Sequence, residues 1–270
     1  PVVAVALSST CKGLRTPLRA ALEVLKERHE KAKALCRKLD KSCAGLRGAE
    51  VLYGAGLLVA DDVATLGMIL QTNGLPCLRD LYLAHNGFGD AGMQALCGGL
   101  GRGVAPSLLV LGLRDNKFGP AGAAALAAAL RRGAMPKLAR LNLHCNPLGN
   151  QGVAALAAPL RKLPALDRLL LGCCEIGDEG VTSLVGNLGK DDFKALELLY
   201  LEGNKITDAG VAKLLAALEA GGLPKLVNQT NMLNQSINML KDNPASAVAV
   251  AAVHEALVKR GAPVGRCQIW

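Results

Sequence analysis

The chain has 270 residues, 51% of them apolar but only 3% aromatic, and a formal charge of +9. Leu, Ala, Val and Gly dominate, which suits closely stacked, repeated layers better than a large open ligand cavity, and no uncharged apolar run approaches the roughly 20 residues of a membrane span. Residues 1–47 hold 11 Lys/Arg against 4 Asp/Glu while residues 48–240 are neutral; a nucleic-acid-binding solenoid would carry its charge along the binding face, so no nucleic-acid partner is expected.

The first element is a basic helical segment within residues 1–47. Thr16-Pro17 reads as N-cap and N1 of a helix. Leu18, Leu22, Leu25, His29, Ala32, Cys36 and Leu39 fall at alternating spacings of four and three, a heptad-like seam. Arg19, Lys26, Arg28, Lys31, Lys33, Arg37, Lys38 and Lys41 occupy the other faces. Packing of this seam on the neighbouring domain is the first expectation. Docking on a partner helix or an acidic surface is the second, and membrane-surface binding ranks last because the seam lacks bulky aromatics.

Residues 48–240 repeat. The pattern Leu78, Leu81, Leu83, Asn86 returns as Leu108, Leu111, Leu113, Asn116, then as Leu138, Leu141, Leu143, Asn146. It returns again as Leu166, Leu169, Leu171, Cys174 and as Leu196, Leu199, Leu201, Asn204. Leu at alternate positions marks a short strand with one buried face. Each strand is followed by an Asp/Gly/Asn-rich turn and a helix whose buried stripe is a Leu pair four apart: Leu96/Leu100, Leu126/Leu130, Leu156/Leu160, Leu184/Leu188 and Leu214/Leu218. Gly92, Gly122, Gly152, Gly180 and Gly210 recur near the helix start, where they permit close packing of adjacent coils. The Asn column satisfies backbone groups where the strand turns into loop, and Cys174 is a weaker donor in the same slot.

The units at both ends are degenerate. Stepping back 30 residues from Leu78 puts Gly48, Val51, Tyr53 and Gly56 at the repeat positions of a capping unit, followed by Leu66 and Leu70. Leu226 opens a sixth unit in which Gln229 and Asn231 replace the strand leucines, with Asn234, Ile237 and Leu240 fitting loosely. Residues 241–270 then read as a capping helix and tail, with Asn243-Pro244 as N-cap and N1, an Ala/Val-rich body to Arg260, and Gly261 as the stop.

The LxxLxLxxN/C units with a Gly-containing helical half resemble the ribonuclease-inhibitor-like class of leucine-rich repeats, found also in NOD-like receptors and Ran GTPase-activating proteins. That resemblance implies an α/β solenoid: a curved horseshoe with parallel strands on the concave face, helices on the convex face, and flanking N- and C-terminal helices. It also implies that the concave face binds protein. One branch of the class adds GTPase activation as a further reading, with no functional residue carried across to this chain.

Enzyme chemistry is not expected. There is no HExxH, GxSxG or phosphate loop, since Gly189-Lys190 is followed by Asp191. Nine cysteines at irregular spacings, without a CxxC pair, point to free thiols in a reducing intracellular compartment. The cytoplasm is expected first; an organelle stays open because the chain begins with Pro1. The triplets Asn228-Gln229-Thr230 and Asn234-Gln235-Ser236 would be glycosylated only in a secreted protein. Cys145 and Cys173 share a column beside His144, but the repeat explains each position, so no metal or cofactor is expected.

The residues that flank the buried strand leucines point outward in three columns: Asp80, Val110, Arg140, Arg168, Leu198; then Tyr82, Gly112, Asn142, Leu170, Tyr200; then Ala84, Arg114, His144, Gly172, Glu202. Arg140 and Arg168 are adjacent like charges that need a nearby carboxylate, from Asp115, Asp167 or a partner. Tyr and Arg most often carry interface binding energy. The candidate partner-binding residues are therefore Asp80, Tyr82, Arg114, Asp115, Arg140, Asn142, His144, Arg168, Tyr200 and Glu202. The expected function is a non-catalytic module that holds a protein partner through this face, the N-terminal helix or both. A structural subunit of a large assembly is the main alternative.

Overall fold

The computed structural model describes residues 15–226, 228–230, 239–260 and 264–266. Six three-residue strands, β1 (Val51–Tyr53), β2 (Asp80–Tyr82), β3 (Val110–Gly112), β4 (Arg140–Asn142), β5 (Arg168–Leu170) and β6 (Leu198–Tyr200), form one parallel sheet in chain order. Their central residues Leu52, Leu81, Leu111, Leu141, Leu169 and Leu199 stand opposite one another along the ladder. All are at most 1% exposed, as are Leu83, Leu113, Leu143, Leu171 and Leu201 two positions later.

A helix follows each strand. After two N-terminal helices, α1 (Arg15–Lys38) and α2 (Cys43–Arg47), these are α3 (Ala60–Asn73), α4 (Gly89–Gly99), α5 (Pro120–Arg131), α6 (Gly149–Arg161), α7 (Asp178–Val185) and α8 (Asp208–Glu219). Each packs on the next. Leu96, Leu100, Leu126, Leu156, Leu160, Leu184, Leu214 and Leu218 are fully buried on the sheet side, and Leu188 is partly buried against the same core. Strands stack about 4.8 Å apart and helices about 8–10 Å apart. Layers of equal number therefore span less length on the strand side, which bends the stack with its sheet inward. This is the α/β leucine-rich-repeat solenoid expected from the pattern.

Two polar ladders join the coils. In the first, Asn146 Nδ2 donates to the carbonyls of Leu113, Leu143 and His144, while its Oδ1 accepts from the Asn116 N–H. Asn86, Asn116 and Asn204 bridge their neighbours in the same way. Cys174 keeps half of this role: its Sγ donates to the carbonyls of Leu143 and Gly172, but sulfur replaces the amide oxygen as the acceptor for the preceding unit, and it accepts weakly. Burial pushes its thiol up to about 12.

The second ladder lies at the helix starts. Asp90 accepts from the N–H groups of Gly119 and Gly122, Asn150 from Gly177 and Gly180, and Asp178 from Thr207 and Gly210. One unit thus caps the next unit's helix and meets its orphan donors. The glycines let that side chain in. A Cβ at Gly210 would lie 2.4 Å from Asp178 Oδ1, and one at Gly122 would lie 2.8 Å from Asp90 Oδ1.

The ends correct several sequence expectations. Leu52, not Val51 or Tyr53, pairs with Leu81, because the strand of the first unit lies 29 rather than 30 residues ahead of the next. α1 already includes Arg15 and Thr16, so Pro17 sits inside its first turn, where proline is tolerated. In the sixth unit Leu226 is buried as expected. The slot beside Leu201, however, is filled by Met239 and Leu240, and Asn243 takes the ladder position: its Nδ2 donates to Leu201, Leu240 and Lys241 carbonyls, and its Oδ1 accepts from the Ile206 N–H. Asn243 is therefore a repeat residue rather than a helix cap. Gln229 lies instead in β7 (Asn228–Thr230), which pairs in parallel with β8 (Val264–Arg266) as a separate two-stranded sheet; Asn231, Asn234, Ile237 and Gly261 lie outside the described residues.

The C-terminal helix α9 (Ala247–Lys259) is capped by Ser246, whose Oγ accepts from the Ala249 N–H. Asp208 accepts in turn from the Ser246 N–H and hydroxyl, and Arg260 donates to the carbonyls of Leu218 and Gly222. Val253 and Leu257 are buried, so α9 lids the last coil.

Replacing Asn146 by Ala leaves the buried Asn116 N–H without its acceptor, while the Leu113, Leu143 and His144 carbonyls each keep a second donor, so N146A is expected to lower unfolding stability by about 1–3 kcal/mol. Cys174→Asn restores the missing acceptor and is expected to add about 1 kcal/mol. Urea unfolding midpoints of the two variants would check both; midpoints equal to the parent's would contradict the ladder's role.

Candidate partner-binding face

Parallel sheets are usually covered on both faces. Here the helices lie on one side, and the outward side chains of the opposite side form the columns expected from the sequence. The register Asp80, Val110, Arg140, Arg168, Leu198 is observed pair by pair, as is Tyr82, Gly112, Asn142, Leu170, Tyr200.

The second column begins one unit earlier, with Tyr53, which pairs with Tyr82 along β1 and β2. The two rings stack with centroids 4.9 Å apart and planes at 4°. Tyr53 is 66% exposed, and Tyr82 is half-buried. Gly112 makes room for this pair, since a Cβ there would sit 3.1 Å from Tyr82 Cδ1. The sequence reading missed Tyr53 because it placed that residue at a buried position. The signal was present in Leu52, an apolar residue between two residues that alternate with it.

Arg140 and Arg168 are neighbours in the ladder, both half-buried. The expected carboxylate is Asp167, whose Oδ1 lies 3.9 Å from Arg168 Nε. Burial pushes the Asp167 carboxyl above its ordinary 3.8, against the pull of Arg140 and Arg168. Asp115 does not serve the pair: its carboxylate meets His85 Nδ1 at 3.0 Å. Asp80 is half-buried beside this column. Asn142 is turned to its own strand, with Oδ1 accepting from the His144 N–H.

The far end of the face differs from expectation. Tyr200 is only 3% exposed and forms a small apolar cluster with Leu198 and Leu170. It is a packing residue rather than an open anchor. His144 is 9% exposed and leans over Gly172 toward Glu202, with Nδ1 3.9 Å from Oε1; a Cβ at Gly172 would fall 2.4 Å from the imidazole Cε1. Burial lowers the His144 pKa first, and the charge of Arg114 adds to this. Burial raises the Glu202 pKa. Arg114 is half-buried, and its Nε lacks a hydrogen-bond partner among the described residues. The open part of the face therefore runs from Tyr53 and Tyr82 to Arg140 and Arg168.

The basic helix α1 divides in two. Leu35, Cys36 and Leu39 are buried, and Lys38 and Lys31 pair with Asp62 and Asp61 of α3 at 2.5 and 3.4 Å. Leu18 and Leu22 are half-buried, but in the middle of the seam Leu25 is 53% exposed and His29 is also exposed, with Val24 beside them 45% exposed. Among the described residues no helix is long and apolar enough to cross a membrane.

The leucine-rich-repeat family model matches the chain five times, at residues 74–97, 104–127, 134–157, 166–185 and 196–215. The chain thus carries leucine-rich repeats, built into an α/β solenoid, and such repeats typically serve protein–protein interaction. No curated protein matches this chain.

A carboxyl whose folded pKa is raised contributes stability that is complete below the unfolded value of 3.8 and is lost as pH rises through the folded pKa. Asp167→Asn is therefore expected to flatten the decline of stability as the pH rises above about 4. Urea unfolding across that range would show it. A slope unchanged by the substitution would remove Asp167 as its source.

Proposed function

We propose that this chain is a non-catalytic interaction module that holds a protein partner on the open face of its sheet. The supporting observation is that a parallel sheet, normally covered on both sides, leaves one face open here and sets there a stacked Tyr53–Tyr82 pair and the Arg140–Arg168 pair. Large planar side chains held in register have little conformational freedom to lose on binding, and these are the types that dominate interface energetics. Two guanidinium groups side by side in the ladder suit an acidic group on the partner. Asp80, Asn142, Arg114 and Asp115 border this patch; buried His144 and Tyr200 and half-buried Glu202 lie at the far end of the face. The spacings of 28–30 residues and the full helix in each unit support the ribonuclease-inhibitor-like class of repeat.

The half-open seam of α1 favours a second reading, a structural subunit anchored through Val24 and Leu25. The two readings put the contact on different surfaces.

Reversing both charges in Arg140→Glu/Arg168→Glu is expected to weaken partner capture by the full chain at least tenfold, equivalent to about 1.4 kcal/mol. The thermal melt should keep its cooperative form. Capture from an extract of the source organism, quantified by mass spectrometry, is the measurement. Undiminished capture by this variant, together with loss on Val24→Asp/Leu25→Asp, would transfer the contact to α1.

A further inference from the structure

His144, Cys145 and Cys173 each offer one nitrogen or sulfur atom within 4.8 Å of the others. They come from two consecutive coils, at the rim where strand turns to loop. We propose that these three side chains bind one zinc ion, with the fourth coordination position left to water or to a donor from outside the chain.

The backbone gives no reason of its own for cysteine here. Cys145 and Cys173 stand at left-handed φ values of 56° and 53°, in a column that otherwise holds His85, Asp115, Gly203 and Asp242. That conformation favours Gly, Asn, Asp and His, so the two consecutive thiols depart from what the turn selects. The cluster also has space made for it. A Cβ at Gly172 would lie 2.5 Å from His144 Nδ1, and a Cβ at Gly203 would lie 2.7 Å from Cys173 Sγ. The glycines of the following coils thus vacate the volume that the ligand side chains fill.

The donor set fits zinc. Two sulfurs and one imidazole are borderline-soft ligands, and Zn–S near 2.3 Å with Zn–N near 2.0–2.1 Å puts tetrahedral donor atoms about 3.5–3.8 Å apart. The three donor atoms, all within 4.8 Å of one another, already lie close to that spacing. Two thiolates neutralise the dication, so the loaded site adds no net positive charge beside Arg114, whose charge acts on His144 and Cys145. Glu202, 3.9 Å from His144 Nδ1, brings a carboxylate of the kind that orients ligating imidazoles. Cys145 is half-buried and Cys173 exposed, so the site has an entry path.

The test uses the full chain, stripped of metal and reduced with a phosphine, titrated with Co(II) and then with Zn(II). The expected result is one Co(II) per chain, with tetrahedral ligand-field absorption in the visible and thiolate-to-cobalt charge transfer in the near ultraviolet, both erased as Zn(II) displaces it. Cys145→Asn/Cys173→Asn suits the left-handed backbone and should fold as the parent does by circular dichroism. Loss of a mere outer-shell partner typically costs about 10–100-fold in affinity, so this loss of two ligands should exceed 100-fold. His144→Gln should weaken binding while keeping the charge-transfer band. No thiolate band in the reduced parent would overturn the site. So would a band of equal strength in the double variant, which would place the metal on other cysteines. A Cys145–Cys173 disulfide in the isolated protein, with no metal uptake after its reduction, would replace zinc with a thiol pair.

Discussion

A buried carboxamide that reaches several carbonyls at once joins each coil of this protein to the next. The Asn side chain that follows β2, β3, β4 and β6 bonds to its own coil and to the coil before it, and its oxygen takes the N–H that the sheet no longer pairs. Strands of three residues cannot set their own register strongly, because each offers few ladder bonds. The Asn ladder sets it for them, and with register come the alignment of buried leucines and the alignment of outward side chains. A slip of one residue would exchange the two faces. The Asp and Asn side chains at the helix starts perform the same service on the convex side wherever they occur, at Asp90, Asn150, Asp178 and Asp208.

This explains which features the sequence revealed. Five units were legible because Leu and Asn recur at spacings that geometry enforces, and the columns from Asp80 to Leu198 and from Tyr82 to Tyr200 followed directly. The ends were less legible because an insertion or deletion there disturbs no further unit. One residue fewer ahead of β2 moved Leu52 into the core and Tyr53 out to stack on Tyr82. A longer excursion after Leu226 carried the ladder Asn to Asn243, where an Asn-Pro pair imitates a helix cap. Burial of Tyr200 was beyond periodicity altogether: alternation says which face a side chain leaves from, not whether Leu198 and Leu170 gather around it. Likewise the seam of α1 is continuous in sequence, yet only its last turns meet the solenoid.

The same architecture accounts for where binding chemistry can sit. The core positions are fixed by stacking and tolerate little besides aliphatic side chains, whereas outward positions are free to vary from coil to coil. Arg140, Arg168, Tyr53 and Tyr82 are departures of this kind, as are the thiols of Cys145 and Cys173 at the rim. Cys174 is different: it lies in the ladder itself, wholly buried, with its thiol pushed up to about 12. Three neighbouring positions, Cys145, Cys173 and Cys174, thus divide into a rim pair that solvent reaches and a core residue that is closed off.

The central claim is that the partner lies against the open sheet face. Its most direct test is hydroxyl-radical footprinting of the chain within the complex isolated from its source, compared with the free chain. Protection is expected at Tyr53 and Tyr82, with Val24 and Leu25 on α1 unchanged. Protection confined to α1 and the convex helices, with both tyrosines as reactive as in the free chain, would contradict it.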